Sequence, residues 1–532
     1  MRDRVDVLIV GAGASGAAVA WSLAEAGIDV LCLEQGGWVA PETYPTTRAD
    51  WELRRQTDFH PDPNVRGLPS DYPLNTAGSP IDPLMYNAVG GSTIHWSGHF
   101  PRFRPSDFRV RSLDGVADDW PLAYADLEPF FDVNDRIMGV AGLTGDPAYP
   151  PKSPRQTPPI PIGRLGHTIV GGFEKLGWHW WPSDSAILTT AYDGRRACNN
   201  CGPCDVGCPV GAKASTDITY WPKALARGAL LRTGARVREI TVSPDGRADG
   251  VVYHDAQGQV REQKARIVVL AANGVGTPRL LLNSKSARHP DGLANSTGLV
   301  GRNLMFHPYA LARGLFDERL DSHHGPNGCA IISQEFYETD RARGFVRGYS
   351  FQITRGLNPI GTANGGLSAQ RVPWGARHRA AYDTRFDHTI TVAVVGDDLP
   401  EERNRVELDA ELTDADGIPA PRIVYSLSEN SRKLLDHGLA RADDVLRAAG
   451  ARAVDSTPLL RTAGWHLMGT ARMGADPRRS VVDPYGRCHD VPNLYIVDGS
   501  ILVTGGAVNP TSTIQALALR IADHIARNAR NL

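Results

Sequence analysis

Val5-Asp-Val-Leu-Ile-Val10-Gly11-Ala-Gly13-Ala-Ser15-Gly16 is the stretch that decides the fold. Val5 to Val10 is a nearly continuous apolar run, as a strand buried on both faces requires. Ser15 to Ala26 reads as a helix whose small residues pack toward a sheet, with Gly27 placed as its stop. Ile28 to Leu33 is a second strand and ends at Glu34. A strand, a glycine turn, a helix and a strand in that order give Gly-x-Gly-x-x-Gly its meaning. Gly11 permits the tight turn, Gly13 lets a pyrophosphate approach the backbone, and Gly16 lets the helix lie close to the sheet. The helix start at Ser15 offers N–H groups and partial positive charge to phosphates. Glu34, 18 residues beyond Gly16, suits the ribose hydroxyls of an adenosine and disfavours a 2′-phosphate. A dinucleotide is expected, and this motif by itself does not separate FAD from NAD.

The 532 residues suit two interleaved domains better than one core. A formal net charge of −2 argues against a nucleic-acid or membrane-surface partner, which usually meets a basic excess. No apolar run is long enough to span a bilayer. The N-terminal apolar run is short and leads straight into the glycine turn, unlike a signal peptide, so cytoplasmic placement is the default expectation. Residues 37–80 read as an extended excursion, and the Pro-rich stretch 145–162 as a connector. Residues 235–270 alternate strands with turns, 305–455 alternate strand-like segments before a helix at about 428–449, and the end gives strand 494–498 and helix 511–526.

Three further segments carry chemistry. In Ala88-Val-Gly90-Gly91-Ser-Thr-Ile-His95-Trp96, adjacent glycines suggest backbone running close along something flat or charged, such as a flavin. His95 then either touches or bonds the flavin, or is a hydrogen-bonded structural residue. The second segment runs from Gly464-Trp-His466 through Val497-Asp498-Gly499-Ser500 to Asn509-Pro510-Thr511. Pro510 suits a first helical turn and Asn509 its N-cap, and that helix end would point its dipole at a flavin ring. Asp498, at a strand terminus, can hold ribityl hydroxyls. Alcohol oxidation needs a base for the hydroxyl proton, and His466 is the candidate. Asn509 would orient the hydroxyl and stabilise the developing alkoxide. The third segment, Cys198-Asn-Asn-Cys201-Gly-Pro-Cys204-Asp-Val-Gly-Cys208-Pro209, has bacterial-ferredoxin spacing. It points to a 3Fe-4S or 4Fe-4S cluster, with zinc ranked lower and plain reduced thiols as the alternative. Cys32, Cys329 and Cys488 are scattered and read as buried thiols.

Together these segments, with Ala271-Ala-Asn-Gly-Val-Gly-Thr277-Pro278-Arg279 and Asn404-Arg-Val406, resemble the glucose–methanol–choline oxidoreductases from end to end. The resemblance implies an α/β chain: a Rossmann-type FAD domain (1–110, 205–304 and 456–532) and a substrate domain on a mixed or antiparallel sheet (111–204 and 305–455). It implies bound FAD, His466 as base with Asn509 as its partner, and Val237, Ala272, Gly499 and Thr511 beside the cofactor. Val-Gly-Gly-x-x-x-His-Trp with Pro-Arg-Phe downstream is similar to pyranose oxidases, where the matching histidine is joined to FAD. Other sugar dehydrogenases share His-Trp there, so a covalent bond at His95 is the lesser reading. Cys198, Cys204 and Cys208 also resemble the cluster motif of FAD sugar dehydrogenases.

The function implied is oxidation of a secondary alcohol on a sugar, glycoside or polyol to a ketone, with oxygen, a quinone or a cytochrome as electron acceptor. Trp96, Trp178, Trp180, Trp181 and Trp465 are candidate faces for sugar rings. Gluconate or an aliphatic alcohol is the rival substrate, with Arg371, Arg377 and Arg379 as candidate carboxylate binders. A flavin and iron–sulfur electron-transfer or redox-sensing protein is the rival of another class, and an NAD-dependent dehydrogenase a third.

Overall fold

The structure, a computed structural model, describes residues 3–326, 329–364 and 372–528. Strand β1 (Arg4–Val10), helix α1 (Ala14–Glu25) and strand β2 (Val30–Leu33) form the predicted unit. β1 and β2 are parallel, with Val7 opposite Val30 and Val10 opposite Leu33. On its other side β1 runs parallel to Val260–Leu270, which also pairs with Leu494–Ile496. The seven-stranded sheet thus gathers chain-distant strands around β1, with Leu230–Arg232 beyond β2 and the antiparallel pair Ala248–His254 and Arg236–Val242 at the other edge. α1 packs on the C-terminal helix Thr511–Asn528, and Gly27 takes φ +76° to end it.

Backbone meets backbone where the glycines stand. A Cβ on Gly11, which has φ +102°, would lie 2.5 Å from the Ala271 carbonyl oxygen. One on Gly16 would overlap the Gly11 carbonyl. The glycine turn, the first turn of α1 and the end of strand Val260–Leu270 are thereby stacked without side chains between them.

A second sheet of six antiparallel strands runs in the order Ala453–Thr457, Tyr309–Leu315, Thr389–Gly396, Tyr349–Thr354, Ile331–Ser333, Trp181–Pro182. Strand alternation divides its faces. Ala310, Ala312, Val392 and Val394 pack toward helix Glu429–Ala448, while Leu311, Arg313, Gln352, Thr354, Thr391 and Ala393 face a cavity between the sheets. Ser428 caps that helix by accepting from Ser431 N–H, as a serine there should. A three-stranded sheet, Arg405–Thr413, Pro419–Val424 and Asn75–Gly78, ties the early excursion to the second half of the chain. Residues 111–204 divide between the cores: helix Tyr124–Met138 packs on Thr511–Asn528 in the first, and Gly163–Leu176 lies against Glu429–Ala448 in the second. Among the described residues no helix is long and apolar enough to cross a membrane.

Because a rigid carbonyl blocks any side chain at Gly16, Gly16→Ala is expected to cost roughly 1–3 kcal/mol by overpacking. Thermal denaturation and the flavin content of purified protein check this. An unchanged midpoint with full flavin would show that α1 does not need this contact.

Candidate active site

A cavity of about 500 Å³ lies between the two sheets. Gly11, Gly13 and Ser15 line one end, with Glu34, Val237, Ala272, Asp498 and Gly499 around them. Gly91, His95 and Trp96 form a second wall, and Pro510 and Thr511 bring the start of the C-terminal helix to it. Gly16 and Gly90 stand one layer behind, where Gly90 donates its N–H to the Ala12 carbonyl at 3.0 Å. Gly13 and Gly91 meet face to face, since a Cβ on Gly91 would lie 2.9 Å from Gly13 Cα.

This end fits a dinucleotide. α1 begins at Gly13 with no side-chain cap, so its first N–H groups remain for an anion. Glu34 accepts from Ala12 N–H and Gly36 N–H, both at 2.8 Å, which orders the loops on either side and leaves each oxygen a further lone pair. Burial pushes its pKa up and these N–H groups pull it down. Asp498 is held similarly, accepting from Ser500 N–H at 2.9 Å, Asn273 N–H at 3.1 Å and the Thr277 hydroxyl at 2.5 Å. Trp96 donates Nε1–H to the Ala214 carbonyl at 2.8 Å. His95 is buried on the cavity wall beside the Asp205 backbone. Both ring nitrogens are buried without a hydrogen bond of good geometry, and the ring lies 4.2 Å from that of Tyr86. A buried imidazole on the cavity wall without a well-formed hydrogen bond fits a flavin lying against it.

At the other end His466 and Asn509 come together from segments 43 residues apart, with His466 Nε2 3.3 Å from Asn509 Nδ2. His307 places the protons. Its Nε2 faces the carbonyls of Gly506 at 2.7 Å and Gly505 at 3.1 Å, which only accept, so Nε2 carries hydrogen. Neutral His307 therefore has a bare Nδ1, which lies 2.7 Å from His466 Nδ1. His466 must donate there, leaving its own Nε2 as a lone pair toward Asn509 and the cavity. Burial, then the nearby imidazoles of His307 and His99, hold the His466 pKa well below the usual histidine range, so the ring is a free base near neutrality. Asn509 does not cap the last helix. The first turn closes on the Pro510 carbonyl, and the Asn509 side chain turns instead to His466, His99 and Gln352.

His99, His307 and Gln352, together with Tyr309, which also lines the cavity, escaped sequence reasoning. Each joins the site through a contact between distant segments, and no local period marks it. Arg313 and Arg355 line the cavity, whereas Arg377 and Arg379 are exposed and Arg371 falls outside the described residues. Trp96 and Trp465 face the cavity, while Trp178 and Trp180 pack against the second core. The cysteine cradle is not assembled: among the described residues no three His, Cys, Asp or Glu side chains converge to hold a metal ion. Gly202 at φ +107° and Gly207 at φ +97° bend the loop so that Cys201 is exposed and Cys204 buried. The Cys198 and Cys208 sulfurs each accept a local backbone N–H at 3.4 Å, from Asn200 and Lys213. Four thiols in ferredoxin spacing do not form a ligand set among the described residues.

The cavity of this nucleotide fold ends in an imidazole beside a carboxamide, an arrangement suited to alcohol oxidation. Residues 164–309 and 400–518 match the family models for GMC oxidoreductases, and 9–71 that for an NAD(P)-binding Rossmann-like domain. The chain is 45% identical to 2-methyl-1,2-propanediol dehydrogenase of Mycolicibacterium austroafricanum, over 99% of this chain and 96% of that one. It is 32% identical to the fructose dehydrogenase large subunit of Gluconobacter japonicus (98% and 97% covered) and 33% identical to 6'''-hydroxyparomomycin C oxidase of Streptomyces lividus (98% and 92%). Pyridoxine 4-oxidase from Mesorbium loti shares the fold, with a TM-score of 0.65 at 18% identity over 98% of this chain and 99% of that one. The chain belongs to the GMC oxidoreductase family, flavoprotein enzymes that act on CH–OH groups.

Burial lowers the pKa of both His99 and His307 from 6.5 to about 4. The unfolded chain then takes up protons first, so stability is full above pH 6.5 and falls as pH drops toward 4, by about 3 kcal/mol for each ring. Denaturation midpoints across that window are expected to show a shallower fall for His99→Asn than for the unchanged protein. Parallel curves would show that His99 is not held neutral.

Proposed function

We propose that this chain binds FAD in the cavity and oxidises a hydroxyl-bearing carbon of a sugar, glycoside or polyol to a carbonyl. Bound FAD supplies the hydride acceptor. His466 Nε2 takes the hydroxyl proton, and Asn509 Nδ2 donates a hydrogen bond to the oxygen as negative charge develops on it. Once protonated, His466 keeps its Nδ1–H on His307, which cannot turn over without losing the Gly505 and Gly506 carbonyls. The positive charge is thus met by a ready acceptor. Burial of His99, His307, His466 and Tyr309 keeps bulk water from the reacting atoms.

The bare His466 Nε2 beside the Asn509 amide is the observation that carries this reading. The wall opposite supports the substrate class. Gln352, Thr354, Thr391 and Arg313 offer hydrogen bonds to neighbouring hydroxyls, and Leu311, Leu460 and Trp465 offer apolar surface to carbon. A secondary hydroxyl would give a ketone. The 45% identical relative named for 2-methyl-1,2-propanediol favours a second reading, in which a small vicinal diol is oxidised. Adjacent hydroxyls are common to both.

Anaerobic mixing with a panel of sugars, glycosides and diols is expected to bleach the flavin with at least one of them. His466→Ala should slow that bleaching by about 10²–10⁴-fold while the protein stays yellow. An unaffected rate would favour a redox-sensing or electron-transfer protein instead. Since His466 stays unprotonated well below the usual histidine range, kcat/KM should hold level through pH 6.5 and fall only on the acid side. A loss of rate centred at pH 6.5 or above would mean that another group is the base.

A further inference from the structure

We propose that His99 is a positioning residue: by donating Nδ1–H to the Asn509 side-chain oxygen, it holds the carboxamide with its NH2 toward the base and the reacting oxygen. A carboxamide has nearly the same shape when turned over, yet only one orientation presents a donor. The proton order begun at the Gly505 and Gly506 carbonyls settles which it is. Bare His466 Nε2 needs a donor, so Asn509 Nδ2 faces it at 3.3 Å and Asn509 Oδ1 points the other way. Oδ1 there lies 2.7 Å from His99 Nδ1 and 2.6 Å from Gln352 Nε2. An amide oxygen cannot donate, so His99 carries its hydrogen on Nδ1 and leaves Nε2 to accept from the Ser183 hydroxyl.

Gln352 alone is a weak hold, because it is itself an amide and can turn over together with Asn509, exchanging donor for acceptor. His99 breaks that degeneracy. It is 2% exposed and pinned at both nitrogens, and it stays neutral because burial outweighs the Asn509 hydrogen bond and the charge of Asp184. If Asn509 turned over, its oxygen would face the His466 lone pair and its NH2 would face the His99 and Gln352 hydrogens. Both His99 nitrogens are taken up by Asn509 and Ser183, so it acts through the amide.

The rate effect rests on the alcohol-oxidation reading; the proton position does not. Histidine nitrogen-15 NMR of the yellow holoenzyme at neutral pH is expected to show His99 protonated on Nδ1 only, assigned by its disappearance in His99→Asn. Protonation on Nε2 alone overturns the proposal, whether or not any alcohol is turned over. For activity, His99→Leu and His99→Asn have nearly the same shape, and only asparagine places an N–H where Nδ1 stands. His99→Leu is expected to slow anaerobic flavin reduction at saturating alcohol by about 10- to 100-fold, below the loss of a whole oxyanion donor, with substrate affinity little changed. His99→Asn, which supplies the N–H but is itself an amide that can turn over, should restore part of that rate. In an Asn509→Ala background His99→Leu should add no more than about twofold, because the group it acts through is gone. Equal rates for the leucine and asparagine variants, or multiplying losses in the double variant, would refute the proposal. Should the leucine variant lose its flavin, the NMR result and the asparagine variant decide.

Discussion

The protons of the site take their order from two backbone carbonyls. Gly505 and Gly506 present oxygens to one nitrogen of His307, and an oxygen without hydrogen leaves that nitrogen no choice. From there each group fixes the next, through His466 and Asn509 to His99 and Ser183. An imidazole with its lone pair aimed into a cavity is the result, reached without a charged partner for His466 among the described residues. Neutral imidazoles in a chain tolerate burial that an isolated carboxylate and imidazolium would not.

What holds the carbonyls is itself buried and polar. Tyr337 donates its hydroxyl to Asp107 at 2.7 Å and accepts the Ala507 N–H at 3.1 Å, while the Ser350 hydroxyl donates to the Ala507 carbonyl at 2.6 Å. Thr504 donates to the Asp107 carbonyl at 2.8 Å. Asp107 in turn pairs with Arg347, which also reaches Asp114 and, at 2.8 Å, Asp397. This guanidinium is 1% exposed and surrounded by carboxylates, so each partner's desolvation is offset by the others. Asp397 has its pKa raised to about 6 chiefly by burial, against the pull of Arg347. The segment before the last helix is therefore clamped by side chains from both halves of the fold.

How much of this was legible in the sequence follows from how far each contact reaches. β1, α1 and β2 are local, and period and glycine spacing located them to within a residue or two. The helix at Glu429–Ala448 and the strands of 236–270 were equally plain. His466 and Asn509 stood out because glycines and a proline surround them. His99 does not stand out, although it lies only three residues beyond the segment ending at Trp96, because its partner is 410 positions away. The cysteine spacing has no assembled ligand set beside it among the described residues, for a related reason. Spacing along the chain says nothing of where Gly202 and Gly207 send it, and with positive φ at both glycines Cys201 is exposed while Cys204 is buried. The arginines of 371–379 were sought by charge alone, whereas the second sheet supplies Arg313 by strand alternation.

The segment 504–509 is gripped largely through main-chain atoms. Main-chain carbonyls persist under substitution so long as the path of the chain persists. The proton order of the site is therefore written into a contour, and Gly506, at φ +62°, is the one residue between Thr504 and Val508 whose identity that contour visibly demands. Lengthening or shortening that contour by a single peptide unit would put the anchor and the amide out of step with each other, leaving every functional side chain present and the proton order lost.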